Sequence, residues 1–118
     1  MISFDIPGVR LVSLLNDRSH WAARAARAQK QRHAAKVIAQ ASGVHLMALP
    51  LEVVIVRRGP GTLDSDNLVA SAKHVRDGIA DALKINDNSP RVTWTVRQER
   101  ARGWSVRVEV RSKGEEAA

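Results

Sequence analysis

Two aspartates, Asp64 and Asp66, stand two residues apart in the run Leu63-Asp64-Ser65-Asp66-Asn67-Leu68. In an extended stretch alternate side chains point to the same side, so both carboxylates can face one divalent cation. Magnesium suits such donors, because it takes hard oxygen ligands, keeps several waters and completes its octahedron with phosphate oxygens. An ion held there lowers the pKa of an attacking water and stabilises charge on a leaving oxygen, which is the chemistry of phosphodiester hydrolysis. A plainer role is open to the same residues: an aspartate at a helix start accepts free backbone N–H groups and is favoured by the helix dipole. Two aspartates followed by Asn67 are more than one cap requires.

Five of the 12 acidic residues, Asp64, Asp66, Asp77, Asp81 and Asp87, fall within this one stretch of an otherwise basic chain. On a continuous helix Lys73, seven residues after Asp66, lies about 20° from it on the wheel and two turns along, about 10.5 Å. Its ammonium leans towards the N-terminus and can approach a phosphate held over Asp64 and Asp66. Asp77, four residues further on, offers Lys73 an ordinary surface ion pair instead. Asp87 sits in the polar turn Asn86-Asp87-Asn88, where it either completes a metal cage or bonds only its own backbone.

A second constellation is basic. No acidic residue occurs between Arg18 and Leu51, whereas Arg18, Arg24, Arg27, Lys30, Arg32 and Lys36 all do. His20, Arg24, Arg27 and Gln31 fall within about 60° of a helical wheel, a polar stripe able to follow a phosphate backbone without reading bases. Arg57 and Arg58 add a basic strand end. Trp21 is expected to be buried, because the chain has few aromatic residues for its core; stacking on an unpaired base is the other use of such a ring. His20 has no second histidine at ligand spacing.

These groups need a frame. A chain of 118 residues with 44% apolar content supports one compact core, and we expect one domain over residues 1–118, with 112–118 frayed. The charge of +7, from 19 basic against 12 acidic side chains, favours a polyanionic partner. Absence of cysteine excludes disulfides and thiolate chemistry. Met1–Val9 does not resemble a secretory signal, and no apolar run approaches the ~20 residues of a membrane span, so a soluble, cytoplasmic protein is expected.

Ile2–Ile6 and Arg10–Leu14 read as short strands about the Pro7-Gly8 turn. A long helix is predicted from about Ser19, its candidate cap, to Ala41, ended by Gly43. A strand follows over Leu51–Val56. Leu68, Ala72, Val75, Ile79 and Leu83 then recur at helical spacing within one predicted helix from Asp66 to Lys84. Val92–Val96 resumes a strand, and Trp104, Val106, Val108 and Val110 alternate with polar residues in another, joined through Arg102-Gly103 as a closing hairpin. The order β-α-β-α-β-β predicts an α/β (α+β) fold, a mixed sheet with two main helices packed against it.

Taken together, Asn16-Asp17-Arg18-Ser19-His20-Trp21, Asp64-Ser65-Asp66-Asn67-Leu68 and Asn86-Asp87-Asn88 resemble the RusA family of Holliday-junction resolvases. The resemblance covers most of the chain in order and size. It implies a homodimeric, magnesium-dependent endonuclease of phage or prophage origin that cuts four-way DNA junctions by paired incisions in recombination and repair, with manganese as a substitute ion. Asp64, Asp66 and Asp87 become the metal-binding carboxylates and Asn67 a supporting residue, while the basic stripe and strand end offer Arg18, His20, Arg24, Arg27, Lys30, Arg57 and Arg58 as the DNA contacts. Neither a membrane nor a small-molecule cofactor enters this picture. The family lysine commonly lies four residues after the second aspartate, where this chain has Ala70, and Lys73 stands one turn later as its substitute. Two other expectations remain beside it: a non-catalytic basic nucleic-acid-binding module, and a similar nuclease acting on flaps or forks.

Overall fold

A computed structural model describes residues 1–15 and 18–113. In chain order come β1 (Ile2–Pro7), α1 (Trp21–Ser42), a 3-10 turn (Val44–Leu46), β2 (Leu51–Gly59), α2 (Ser65–Ser71), α3 (Lys73–Leu83), β3 (Val92–Arg100) and β4 (Ser105–Ser112). The four strands make one mixed sheet in the order β1-β4-β2-β3, with β2 parallel to β3 and β4 antiparallel to both β1 and β2. The expected α+β class, a mixed sheet with helices laid against it, is what the chain forms.

The period of two in each strand decides which face is covered. Leu51, Val53 and Ile55 of β2 and Val106, Val108 and Val110 of β4 are fully buried, and they pack against Ala35 and Ala39 of α1 and Val75, Ile79 and Ala82 of α3. Each large aliphatic side chain removed from water in this way contributes roughly 1.5–3 kcal/mol. Among the described residues no helix covers the opposite sheet face. Its outward side chains pair across strands instead, Arg111 with Glu52 at 2.8 Å, Arg97 with Glu109 at 3.1 Å and Arg58 with Glu99 at 3.6 Å.

Helices α1 and α3 meet at the backbone. A Cβ on Gly78 would lie 2.2 Å from the Arg32 carbonyl oxygen and 2.8 Å from the Ala35 methyl, so only glycine permits this approach. Gly43, at φ 84, closes α1 by donating its N–H to the Gln40 carbonyl.

Several expectations are corrected. Residues 9–13 are not a strand, although Leu11 is fully buried. Their carbonyls bond to side chains rather than to a ladder: the Arg10 oxygen accepts from Gln31 at 3.2 Å and the Leu11 oxygen from Arg57 at 2.7 Å. The helix start is capped by His20, whose Nδ1 accepts the Ala22 N–H, rather than by Ser19. The single helix expected over 66–84 is two, with the break at Ala72 (φ −89, ψ 0). Ser71 donates its hydroxyl to the Leu68 carbonyl at 2.6 Å, a back-bond of the kind that bends helices. Nor is Arg102-Gly103 a hairpin turn: β4 passes over the end of β2 and inserts between β2 and β1. Finally, β3 runs to Arg100, well beyond Val96. Ser112 ends β4 rather than a frayed tail; residues 114–118 lie outside the described residues, as do Asn16 and Asp17.

Candidate functional site

The acidic turn is built at the exit of β2. Asp64, extended at φ −67 and ψ 168, is the N-cap of α2: its Oδ1 accepts both the backbone N–H and the side-chain amide of Asn67, each at 3.0 Å. Asn67 in turn accepts the Ser13 hydroxyl on its Oδ1, which ties the N-terminal coil to the start of α2. Behind the turn, the Gln98 side chain donates to the Leu63 carbonyl at 2.8 Å and accepts its N–H at 2.9 Å, docking the turn on β3. Asp66 occupies the first turn of α2, and both it and Asp64 are exposed.

Asp87 is held elsewhere. Its carbonyl accepts from Arg76 at 3.0 Å and from the Trp94 indole at 3.1 Å, and its carboxylate lies 3.7 Å from Arg76 Nε. The Arg76 guanidinium lies over the Trp94 ring at 5.1 Å. Asp64 is therefore anchored beside Gln98 and Asp87 beside Trp94, positions four residues and about 13 Å apart along one strand. Among the described residues no three carboxylates or histidines converge in a way that could hold a metal ion.

Lys73 opens α3, beyond the break at Ala72, so the wheel offset from Asp66 calculated for one continuous helix does not apply. Its ammonium pairs with Asp77 at 3.2 Å, the ordinary partner the spacing offered. Asp81 receives two bonds from Arg32, at 2.7 and 2.9 Å, and this guanidinium holds the Asp81 carboxyl below the usual carboxylate range. Asp77, Asp81, Asp87, Asn86 and Arg32 line a polar depression of about 240 Å³.

Of the basic residues, Arg18, His20, Arg24 and Lys30 are exposed and Arg27 is partly so. Arg57 is not at the surface. It is 3% exposed, its guanidinium directed at the carbonyls of Leu11, Gly61 and Pro60 and lying over Trp104 at 5.1 Å, so the surface cation expected here is an internal brace. Arg58 points the other way, to Glu99 on the helix-free sheet face. Trp21, expected in the core, is 68% exposed.

Arg10 was not singled out by its sequence context. With Arg27, Lys30 and the buried Gln31 it lines a cleft of about 460 Å³ between the Pro7-Gly8 turn and α1. The coil carrying Arg10 has the apolar spacing of a strand, so nothing in the pattern marked it as the wall of a cleft.

No family model matches the chain. Over 78 residues it is 38% identical to a protein of Xylella fastidiosa (strain Temecula1 / ATCC 700964) described only as uncharacterized, an alignment covering 61% of this chain and 51% of that relative. The chain spans about half the length of this relative, whose description carries no activity. No helix among the described residues is long and apolar enough to cross a membrane.

Proposed function

We propose that the protein is a magnesium-dependent, structure-specific DNA endonuclease of the RusA type, acting on four-way junctions as a homodimer. The observation that carries this reading is the exposed Asp64/Asp66 pair at the start of α2, clamped through Asn67 to Ser13 in the coil that leads towards the basic start of α1. The donor set fits the ion: magnesium is commonly held by one or two carboxylates, with waters and substrate phosphates filling the remaining positions. Asp64 offers its Oδ2 while Oδ1 holds Asn67, and Asp66 adds a second hard oxygen donor. Magnesium would supply an acidified water and charge neutralisation at the leaving oxygen. Asp87, the third carboxylate of the resemblance, stands beside Arg76 and Trp94 rather than at this turn, and Lys73 gives Asp77 one of its three N–H donors and keeps two for a phosphate. Arg18, His20, Arg24, Arg27 and Lys30 bind the phosphate backbone in this reading.

A second reading is a basic DNA-binding module without catalysis. It is favoured by the basic partners of Asp77, Asp81 and Asp87 and by the capping role of Asp64. One experiment separates the two. Full-length protein with magnesium is expected to cut synthetic four-way junctions in paired, symmetric positions. Asp66→Asn should lower the cleavage rate by at least about a hundredfold while preserving or strengthening binding, since one ligand and one negative charge are removed. Junctions, flaps and forks all left uncut, together with binding indifferent to magnesium, establish the binding module; cutting confined to flaps or forks reassigns the substrate.

A further inference from the structure

We propose that the exposed start of α1 is a stacking platform for an unpaired DNA base, with Trp21 supplying the ring face. The proposal rests on the branched-DNA reading above and deepens it. From Trp21 to Ala26 every residue of α1 is exposed, and full burial begins only with Gln31, Ala35 and Ala39. At about 1.5 Å per residue, these six make roughly 9 Å of helix exposed to solvent. The apolar residues of this stretch besides Trp21 are the small side chains Ala22, Ala23, Ala25 and Ala26, and the indole is 68% exposed. It lies beside the His20 ring, with centroids 5.5 Å apart and planes tilted by 35°, at the start of the helix.

Charge selects the occupant. Arg18, Arg24, Arg27 and Lys30 lie around or just beyond the ring, no acidic residue follows until Glu52, and the cleft shared by Arg10, Arg27 and Lys30 opens farther along the same helix. A second copy docked here about a two-fold axis would set these cations against their own counterparts. Nucleic acid meets both features at once: phosphates take the cations, and any unstacked base offers a π-face to the indole regardless of sequence. A paired base inside a duplex offers none. The ring therefore confers preference for open DNA, while the cations confer affinity for any DNA.

The test uses the full chain without divalent metal, so that binding is read without cleavage. Tryptophan emission and affinity are followed on a single strand, the matching duplex and a four-way junction carrying an unpaired base. Single-stranded DNA is expected to quench the wild-type emission, and Trp21→Phe to abolish most of the quench with little loss of affinity. Trp21→Ala should weaken binding to the single strand and the open junction about tenfold, leaving duplex affinity and the slope of affinity against salt unchanged. Arg24→Ala should instead reduce that slope on all three DNAs. The proposal is overturned by Trp21→Ala binding every DNA as the wild type does, by an equal loss on duplex and single strand, or by dissociation of a wild-type dimer on this substitution. Junction cleavage is scored separately: an intact quench without cleavage sinks the nuclease reading alone, and cleavage without a stacking preference sinks this one alone.

Discussion

Arg57 carries more of the local structure than its position in a basic run implies. Its guanidinium reaches the Leu11 carbonyl at 2.7 Å and faces those of Pro60 and Gly61, so one side chain fastens the N-terminal coil and the loop after β2 to the centre of the sheet. Burial lowers its pKa, but guanidinium titrates so far above neutrality that the charge remains. Gly59 completes the arrangement, since a Cβ there would stand 2.6 Å from the Trp104 ring on which Arg57 rests. Replacing Arg57 with Leu fills the space but leaves buried carbonyls without donors. We expect a loss of roughly 2–4 kcal/mol in urea unfolding. Unchanged stability, with weakened DNA binding, would restore Arg57 to the surface role that its neighbours suggested. In the sequence nothing separates Arg57 from Arg58 except the parity of the strand, and parity decides which of two adjacent arginines turns inward. The acidic turn was more legible: Asp64, Asp66 and Asn67 announce a helix start by residue type, whereas the bond from Ser13 to Asn67 spans 54 positions and no local pattern encodes it.

At the scale of elements, the union of α1 and α3 is the most exacting contact. Gly78 lets the two backbones touch, and Arg32 reaches across the seam to Asp81. Gly78→Ala would gain helix propensity yet force the helices apart. The overpacking term dominates, and thermal melts should report a net loss of about 1–3 kcal/mol. Asp81 sets a pH signature. Because Arg32 depresses its folded pKa, the stabilisation is present above the unfolded value of about 3.9 and is lost as pH falls through the folded value. Asp81→Asn should therefore melt earlier at neutral pH and show a flatter loss of stability below about pH 4. An unchanged acid limb would show that the pair contributes nothing measurable. Strand alternation and the composition of α1 made most of these elements legible. The break at Ala72 was not, because a Ser71 back-bond leaves apolar periodicity intact. The placement of β4 was equally hidden, since its alternation suits a hairpin with β3 as well as insertion beside β2.

Across the whole molecule, charge and shape divide the labour. The helix side of the sheet holds the core, the depression lined by Asp77, Asp81 and Asp87 and, at the other end, the exposed basic start of α1. The other side is a lattice of paired charges. In the proposed function DNA affinity should fall steeply with salt, through release of the counterions displaced by Arg18, Arg24, Arg27 and Lys30. The ion pairs of the bare sheet face would weaken over the same range without changing the fold, since exposed pairs of this kind are worth at most about 1 kcal/mol each.

That bare face also bears on how the protein avoids itself. The sheet ends in β3, a nine-residue strand with one edge unpaired among the described residues. A long open edge recruits matching strands from other molecules and so seeds fibrils. Thr93, Thr95, Arg97 and Glu99 project outward along it, and Arg100 closes it. An incoming strand would lay its side chains alongside this charged and polar row, beside Arg97 and Glu99, whose partners Glu109 and Arg58 lie on the inner strands. The charges contribute little to folding, and we expect them to act against polymerisation instead, so that replacing Arg97 and Glu99 with valine should make a concentrated solution of the protein form fibrils sooner.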